Sequence, residues 1–175
     1  MMTDTTPIHE EAVLKILETV TDPEVPVLSI IDLGIVRKIE IYDALTKPPS
    51  GGLGIFITPT YTGCPAMDVI NMNIRLALIE NGYDNVDIKT VLSPAWTTDW
   101  MSEAGKEKLK AYGIAPPNST QTVCDIKLFA AEEAVQCPHC QSYNTRVISQ
   151  FGSTACKALY KCNDCREVFD YFKCH

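Results

Sequence analysis

The sequence contains no apolar run approaching the roughly 18 residues that a membrane-spanning helix needs, so no span is expected. It has no surplus of positive charge: 15 Lys and Arg face 22 Asp and Glu, a formal net charge of -7. That balance argues against a general nucleic-acid binder. Residues 1–7, MMTDTTP, lack the basic start and apolar stretch of a secretion signal, and a cytoplasmic location is expected. Histidine is scarce, with only His9, His139 and His175, which limits any Cys–His catalytic pairing.

What the chain does have is cysteine. Cys64, Cys124, Cys137, Cys140, Cys156, Cys162, Cys165 and Cys174 make eight, and in a reducing compartment their clustering favours metal over disulfides. At 175 residues and 46% hydrophobic, the chain can build one real core plus a small module.

Hydrophobic spacing predicts an α+β fold. Thr6 and Pro7 suit the cap and first position of a helix in which Val13, Ile16, Leu17 and Val20 recur at helical spacing. Asp22-Pro23-Glu24-Val25-Pro26 then forces a rigid, extended loop. Alternation from Ile35 to Tyr42 predicts a strand, and a turn-rich segment ending at Gly51-Gly52 leads into a second one, Leu53 to Thr58. A helix is expected after Cys64, with Met67, Ile70, Ile74, Ala77 and Leu78 as its buried stripe and Asn81-Gly82 as its stop. Val86 to Leu92 alternates as a third strand. A more polar helix follows, ending at Gly113 and Pro116-Pro117. The order α-β-β-α-β-α describes a small mixed sheet covered by helices. The expected division is a first domain at residues 7–117, a linker at 118–135 with one short strand around 123–129, and a cysteine-rich β module at 136–175.

Cys137-Pro138-His139-Cys140 and Cys162-Asn163-Asp164-Cys165 are two C-x-x-C knuckles joined by a hairpin pattern. Each knuckle presents two thiolates on one tight turn, which is tetrahedral chemistry for zinc or a single iron. A segment this short needs a metal to fold. A closed four-thiolate site leaves no open position, so a structural zinc is expected. His139 is expected in solvent. Gln141 stands where glycine is common, which predicts a slightly strained turn. Cys156 and Cys174 fall outside the quartet. They are expected as small core residues, the alternative being a second metal or cluster site formed with His175.

Thr58-Pro59-Thr60-Tyr61-Thr62-Gly63-Cys64-Pro65 places a thiol at a strand-to-helix corner. Gly63 allows the sharp turn and Pro65 suits a first helical turn, which puts Cys64 at a helix start where backbone N–H groups favour thiolate. A nucleophilic cysteine wants a histidine base, and none lies nearby in sequence. Asp22, Glu24, Thr58, Thr60 and Thr62 offer oxygen donors for a thiolate-bound ion, or serve only turn and cap chemistry. Spacing alone leaves core filler, nucleophile and metal ligand open for Cys64.

The loop Asp22-Pro23-Glu24-Val25-Pro26 with Ser29-Ile30-Ile31-Asp32-Leu33-Gly34-Ile35-Val36, and the Thr58 to Pro65 stretch, resemble the two signatures of the SufT-like iron–sulfur maturation domain. Leu92-Ser93-Pro94-Ala95-Trp96-Thr97-Thr98-Asp99-Trp100, Gly113-Ile114-Ala115-Pro116-Pro117, Phe151 to Tyr160 and Phe169 to Cys174 resemble the PaaD-like branch found in phenylacetate degradation. Val168 departs from that branch, which usually has proline there. The resemblance covers nearly the whole chain. It implies a non-catalytic maturation factor that supplies an iron–sulfur cluster or iron to the phenylacetyl-CoA epoxidase complex. Its implied partners are the reductase or di-iron subunit of that complex and the Fe–S assembly machinery. It further implies Cys64 as the transient cluster or iron ligand, with Asp22 and Glu24 close by. Two other functions stay open for the chain itself, a thiol enzyme using Cys64 as nucleophile and a structural subunit of the oxygenase. A zinc-ribbon nucleic-acid binder is disfavoured by the acidic balance, although Arg146, Lys157, Lys161, Arg166 and Lys173 could dock an acidic protein. Oligomeric state stays open, a homodimer included.

Overall fold

The structure is a computed structural model that describes residues 9–42, 52–117 and 135–173. The expectations for Thr6-Pro7, the turn at 48–51, Cys124, the strand at 123–129, Cys174 and His175 lie outside the described residues.

Helix α1 is Glu10–Leu17, with Glu10 and Glu11 in its first turn, where the positive end of the helix dipole favours acidic side chains. Val13 and Leu17, one turn apart, are fully buried. Strands β1, Val36–Tyr42, and β2, Gly52–Ile57, pair antiparallel. After β2 the chain crosses over through helix α2, Ala66–Glu80, so β3, Val86–Thr90, lies parallel to β2. The sheet order is β1-β2-β3. The central position of β2 explains why Leu53, Ile55 and Ile57 are all fully buried. Helix α2 covers the sheet with Ala66, Ile70, Ile74 and Leu78, a four-residue repeat that makes one apolar face.

Helix α3, Glu103–Tyr112, is capped by Ser102, whose Oγ accepts from the Gly105 N–H at 2.9 Å, and ends at Gly113 with φ 89°. Asp32 fastens this helix to the loop before β1. Its carboxylate accepts from the Ser29 N–H and Oγ, from Ser102 Oγ at 2.9 Å and from Lys108 Nζ at 2.6 Å. Gly34, φ 66°, sits beneath Trp100, and any Cβ there would collide with the Trp100 backbone carbonyl. The Asp32-Leu33-Gly34 stretch is therefore a brace: Leu33 O accepts from Trp96 Nε1 at 2.8 Å.

The second sheet has the order β4-β7-β6-β5, built from β4, Ile114–Ala115, β5, Thr145–Ser149, β6, Lys157–Cys162, and β7, Val168–Phe172. The hairpin pattern predicts β5 and β6. It does not predict β7, nor the two-residue β4, which follows α3 directly and pairs parallel with β7. The two sheets also share side chains. Phe172 and Cys156 are buried in the core of the first sheet, and Phe172 meets Trp96 edge to face, with ring centroids 6.3 Å apart. Among the described residues no helix is long and apolar enough to cross a membrane.

Candidate functional site

Beyond Ile57 the chain leaves β2 through residues 58–62, which with Leu92, Ala95 and Trp96 line a cavity of about 150 Å³. Gly63 turns the backbone at φ 83° with open space around it, so here glycine supplies conformation rather than room. Pro65 takes the cap position of α2 with φ -69° and ψ -21°. Cys64 thus stands one residue further out than the sequence pattern places it. Its thiol still meets the first N–H of the helix, that of Ala66, and the hydroxyl of Tyr61.

Those two hydrogen bonds favour thiolate, but they do not decide its protonation. Burial comes first and pushes the half-buried Cys64 thiol up, and the carboxylates of Glu24 and Asp22 push in the same direction. Burial and the acidic neighbours therefore work against the thiolate that the helix start favours. Burial, followed by the neighbouring Cys64, also pushes the Tyr61 hydroxyl far above its usual range.

The loop that carries the carboxylates is self-organised. Asp22 Oδ1 accepts from the Glu24 N–H at 2.7 Å and the Val25 N–H at 2.9 Å, a local turn that occupies this oxygen. The Glu24 carboxylate reaches across to the second sheet instead. It accepts from Cys156 Sγ at 3.4 Å, while Thr154 Oγ1 lies 3.0 Å from the same sulfur. Burial, with the nearby carboxylates of Glu24 and Asp22, pushes the Cys156 thiol up to about 11, against the Thr154 hydrogen bond. Lys157 is also buried here, its Nζ 3.5 Å from Glu24 O and 3.9 Å from Asp170 Oδ2.

A separate centre lies in the second sheet. Cys137, Cys140, Cys162 and Cys165 place their sulfurs within 4.8 Å of one another, with contacts of 3.7 Å (Cys137–Cys165) and 3.5 Å (Cys140–Cys162). Sulfurs about 2.3 Å from a tetrahedral zinc stand a little under 4 Å apart, so these residues fit that ion. The backbone N–H of Cys165, opposed by burial and helped by the N–H of Asp164, holds the Cys162 thiol down to about 7. Gln141 and Arg166, the residues after each knuckle, have φ 63° and 67°. The strained turn expected at Gln141 is present at both knuckles. Asp164 joins the knuckles, accepting from Ser142 Oγ and from Asn144 Nδ2 at 2.8 Å. His139 is exposed, as its position inside a knuckle suggests.

The basic side chains of this module do not form one free patch. Lys157 is buried against Glu24, and Lys173 Nζ lies 4.1 Å from the Phe151 ring centroid and donates to Gln150 O at 2.6 Å. The contact of Cys156 with Glu24 is not visible in the sequence, where the two stand far apart.

Fold and centres together define an iron–sulfur assembly-type domain carrying a zinc ribbon. The family model for "Iron-sulfur cluster assembly protein" matches residues 10–88, and that for "PaaD zinc beta ribbon domain" matches residues 121–173. The chain belongs to the PaaD family. It is 47% identical over 95% of its length, and 93% of the relative's, to an Escherichia coli protein whose name makes it one subunit of a "Putative 1,2-phenylacetyl-CoA epoxidase". It is 33% identical over 54% of its length to a Porphyromonas gingivalis "Fe-S protein maturation auxiliary factor", covering 84% of that protein. A solved structure from Bacillus anthracis, titled as a domain of unknown function DUF59, is 27% identical with a TM-score of 0.49, covering 57% of this chain and 90% of that one.

Proposed function

We propose that this chain is a non-catalytic maturation factor of phenylacetate degradation that carries an iron–sulfur cluster or iron to the phenylacetyl-CoA epoxidase complex, with Cys64 as the transient ligand. The observation that carries this reading is the acidic setting of Cys64. A nucleophilic cysteine is activated by neighbours that lower its pKa, whereas at Cys64 burial raises it first and Glu24 and Asp22 add to that, against the Ala66 N–H and the Tyr61 hydroxyl. The same carboxylates favour an incoming cation, whose charge would release the thiol proton and reverse the balance. The names of the Escherichia coli and Porphyromonas gingivalis relatives, an epoxidase subunit and a maturation factor, supply the pathway and the cargo. The ribbon zinc is structural in this reading and takes no part in the transfer.

The test is epoxidase purified from cells that rely on Cys64→Ser. We expect it to be depleted of iron or cluster while the variant itself keeps its fold and its zinc. Fully metal-loaded, active epoxidase from those cells would refute the reading. The relative's name also motivates a structural-subunit reading, which instead requires the chain to copurify with the epoxidase in fixed ratio whatever residue stands at 64.

A further inference from the structure

Helix α2 is apolar on two sides. Its core face is Ala66, Ile70, Ile74 and Leu78. Val69, Met72, Leu76 and Ile79, on the same helix, are exposed by 40%, 56%, 49% and 41%. They make up four of the eleven large apolar side chains exposed among the described residues, so they are not the scattered singles that any surface carries. Their steps of three, four and three residues, at about 3.6 residues per turn, gather them into one strip roughly opposite the core face. This is the a and d pattern of a coiled coil, with Val69 and Leu76 at a and Met72 and Ile79 at d. Asp68 and Arg75, both exposed, border the strip on one side at g, and Asn73 and the exposed Glu80 border it on the other at e. A strip with this spacing is shaped to receive another helix.

We propose that this strip is the interface of a homodimer in which α2 of one copy packs parallel and in register against α2 of a second copy. Charge complementarity selects both the occupant and the orientation. In a parallel pair the g residue of one helix faces the e residue five positions later on the other. Arg75 then meets Glu80 of the second copy, twice by symmetry, and Asp68 meets Asn73, so no like charges are opposed. An antiparallel pair would set Arg75 against its own counterpart across the two-fold axis. Among the described residues neither Arg75 nor Glu80 forms an ion pair within the chain, and the Arg75 Nη1 donation to Val86 O at 2.9 Å occupies only part of the donor set. Two heptads would not hold isolated helices together. Here the core face has already folded the helix, and only association remains to be stabilised. The interface is small, which makes the dimer reversible. Parallel packing also brings both helix starts to one end of the pair, so the two Cys64 loops, each just ahead of its helix, lie on the same side of the dimer. The inference is independent of the maturation reading, since it needs no metal at Cys64.

The test is the mass of the zinc-loaded, full-length protein, followed by sedimentation equilibrium across the micromolar range. Wild type is expected to pass from one chain to two as concentration rises. Leu76→Glu places like charges against each other in the middle of the strip and should stay a single chain throughout. Because Leu76 is exposed in the single copy, that variant should keep its zinc content and circular dichroism. Arg75→Glu and Glu80→Arg each turn two symmetric attractions into repulsions, and each should weaken association by roughly ten-fold. The double reversal, Arg75→Glu with Glu80→Arg, should restore it, an outcome that a merely sticky surface would not produce. Wild type that remains a single chain at every concentration, or Leu76→Glu that dimerises as wild type does, would overturn the proposal. Association lost in Leu76→Glu but unmoved by the charge reversals would overturn the parallel register. Protein recovered from cells as one chain, with a different protein seated on the strip and released by Leu76→Glu, would overturn the second copy as its occupant.

Discussion

Removing the ribbon metal should be felt in the first module as well, and the structure sets the scale. A structural zinc in a small ribbon contributes on the order of 10–16 kcal/mol, comparable to the whole stability of a typical domain, about 5–15 kcal/mol. Without it the ribbon is expected to unfold. Phe172, 2% exposed and edge-on to Trp96, then leaves the core shared with the first sheet. Deleting a core Phe costs about 3–5 kcal/mol, and in a domain of this size each kcal/mol moves the melting temperature by about 4–8 °C. A fall of roughly 20 °C in the melting of the first module follows. The chain has two tryptophans, and only Trp96 lies at the seam; Trp100 stacks under Arg37, 3.5 Å from ring centroid to guanidinium carbon. Chelation should therefore shift tryptophan emission to the red at temperatures where helical circular dichroism persists, and zinc should restore it. Phe172→Ala, with its metal retained, should reproduce the melting shift. Unchanged emission and melting in protein shown to be zinc-free would refute the reasoning.

Two further outcomes test the electrostatics. Tyr61→Phe removes a donor that favours the Cys64 thiolate, so alkylation of Cys64 at fixed pH near 8, read peptide by peptide, should slow. Glu24→Gln removes a charge that opposes the thiolate and should speed it; equal rates in all three proteins would contradict the site described. Asp32 is pushed up by burial, but its bonds to Lys108, Ser29 and Ser102 prevail, and its folded pKa lies below the ordinary carboxylate value. Its contribution is therefore present above the unfolded pKa of about 3.9 and is lost as pH falls through the folded value. Asp32→Asn should destabilise by about 2–3 kcal/mol at neutral pH, as expected for breaking charged, buried hydrogen bonds, and should flatten the acid limb of a stability profile. An acid limb of undiminished slope would assign it elsewhere.

Much of this architecture is legible in the chain because local rules agree. The repeat of Ile70, Ile74 and Leu78, the alternation through β1, and Gly113 with its left-handed φ all act within a few residues. The knuckles declare their metal for the same reason, since each pair of thiolates is fixed by one turn. What the sequence hides is long-range. Ile114–Ala115 is too short to show any period, and its partner β7 lies beyond the linker. Cys156 reads as a small core residue, and it is one, but its partner carboxylate is in the opening loop. Cys64 shows the other limit: helix-end chemistry is visible in Gly63-Cys64-Pro65, whereas the burial and acidic neighbours that outweigh it come from the tertiary fold.

The two residues of β4 also act as a guard. In the second sheet β5 forms one outer strand, and β7 would form the other were it not covered by Ile114–Ala115. A ribbon cut away just after Pro117 would bare the backbone donors and acceptors of β7 along an apolar strand containing Phe169, Tyr171 and Phe172. Such an edge recruits any strand offered to it, including that of a second copy. The few residues leaving α3 therefore cover part of an edge on which a second ribbon could otherwise pair, and a fragment intended to stand alone should start upstream of Ile114.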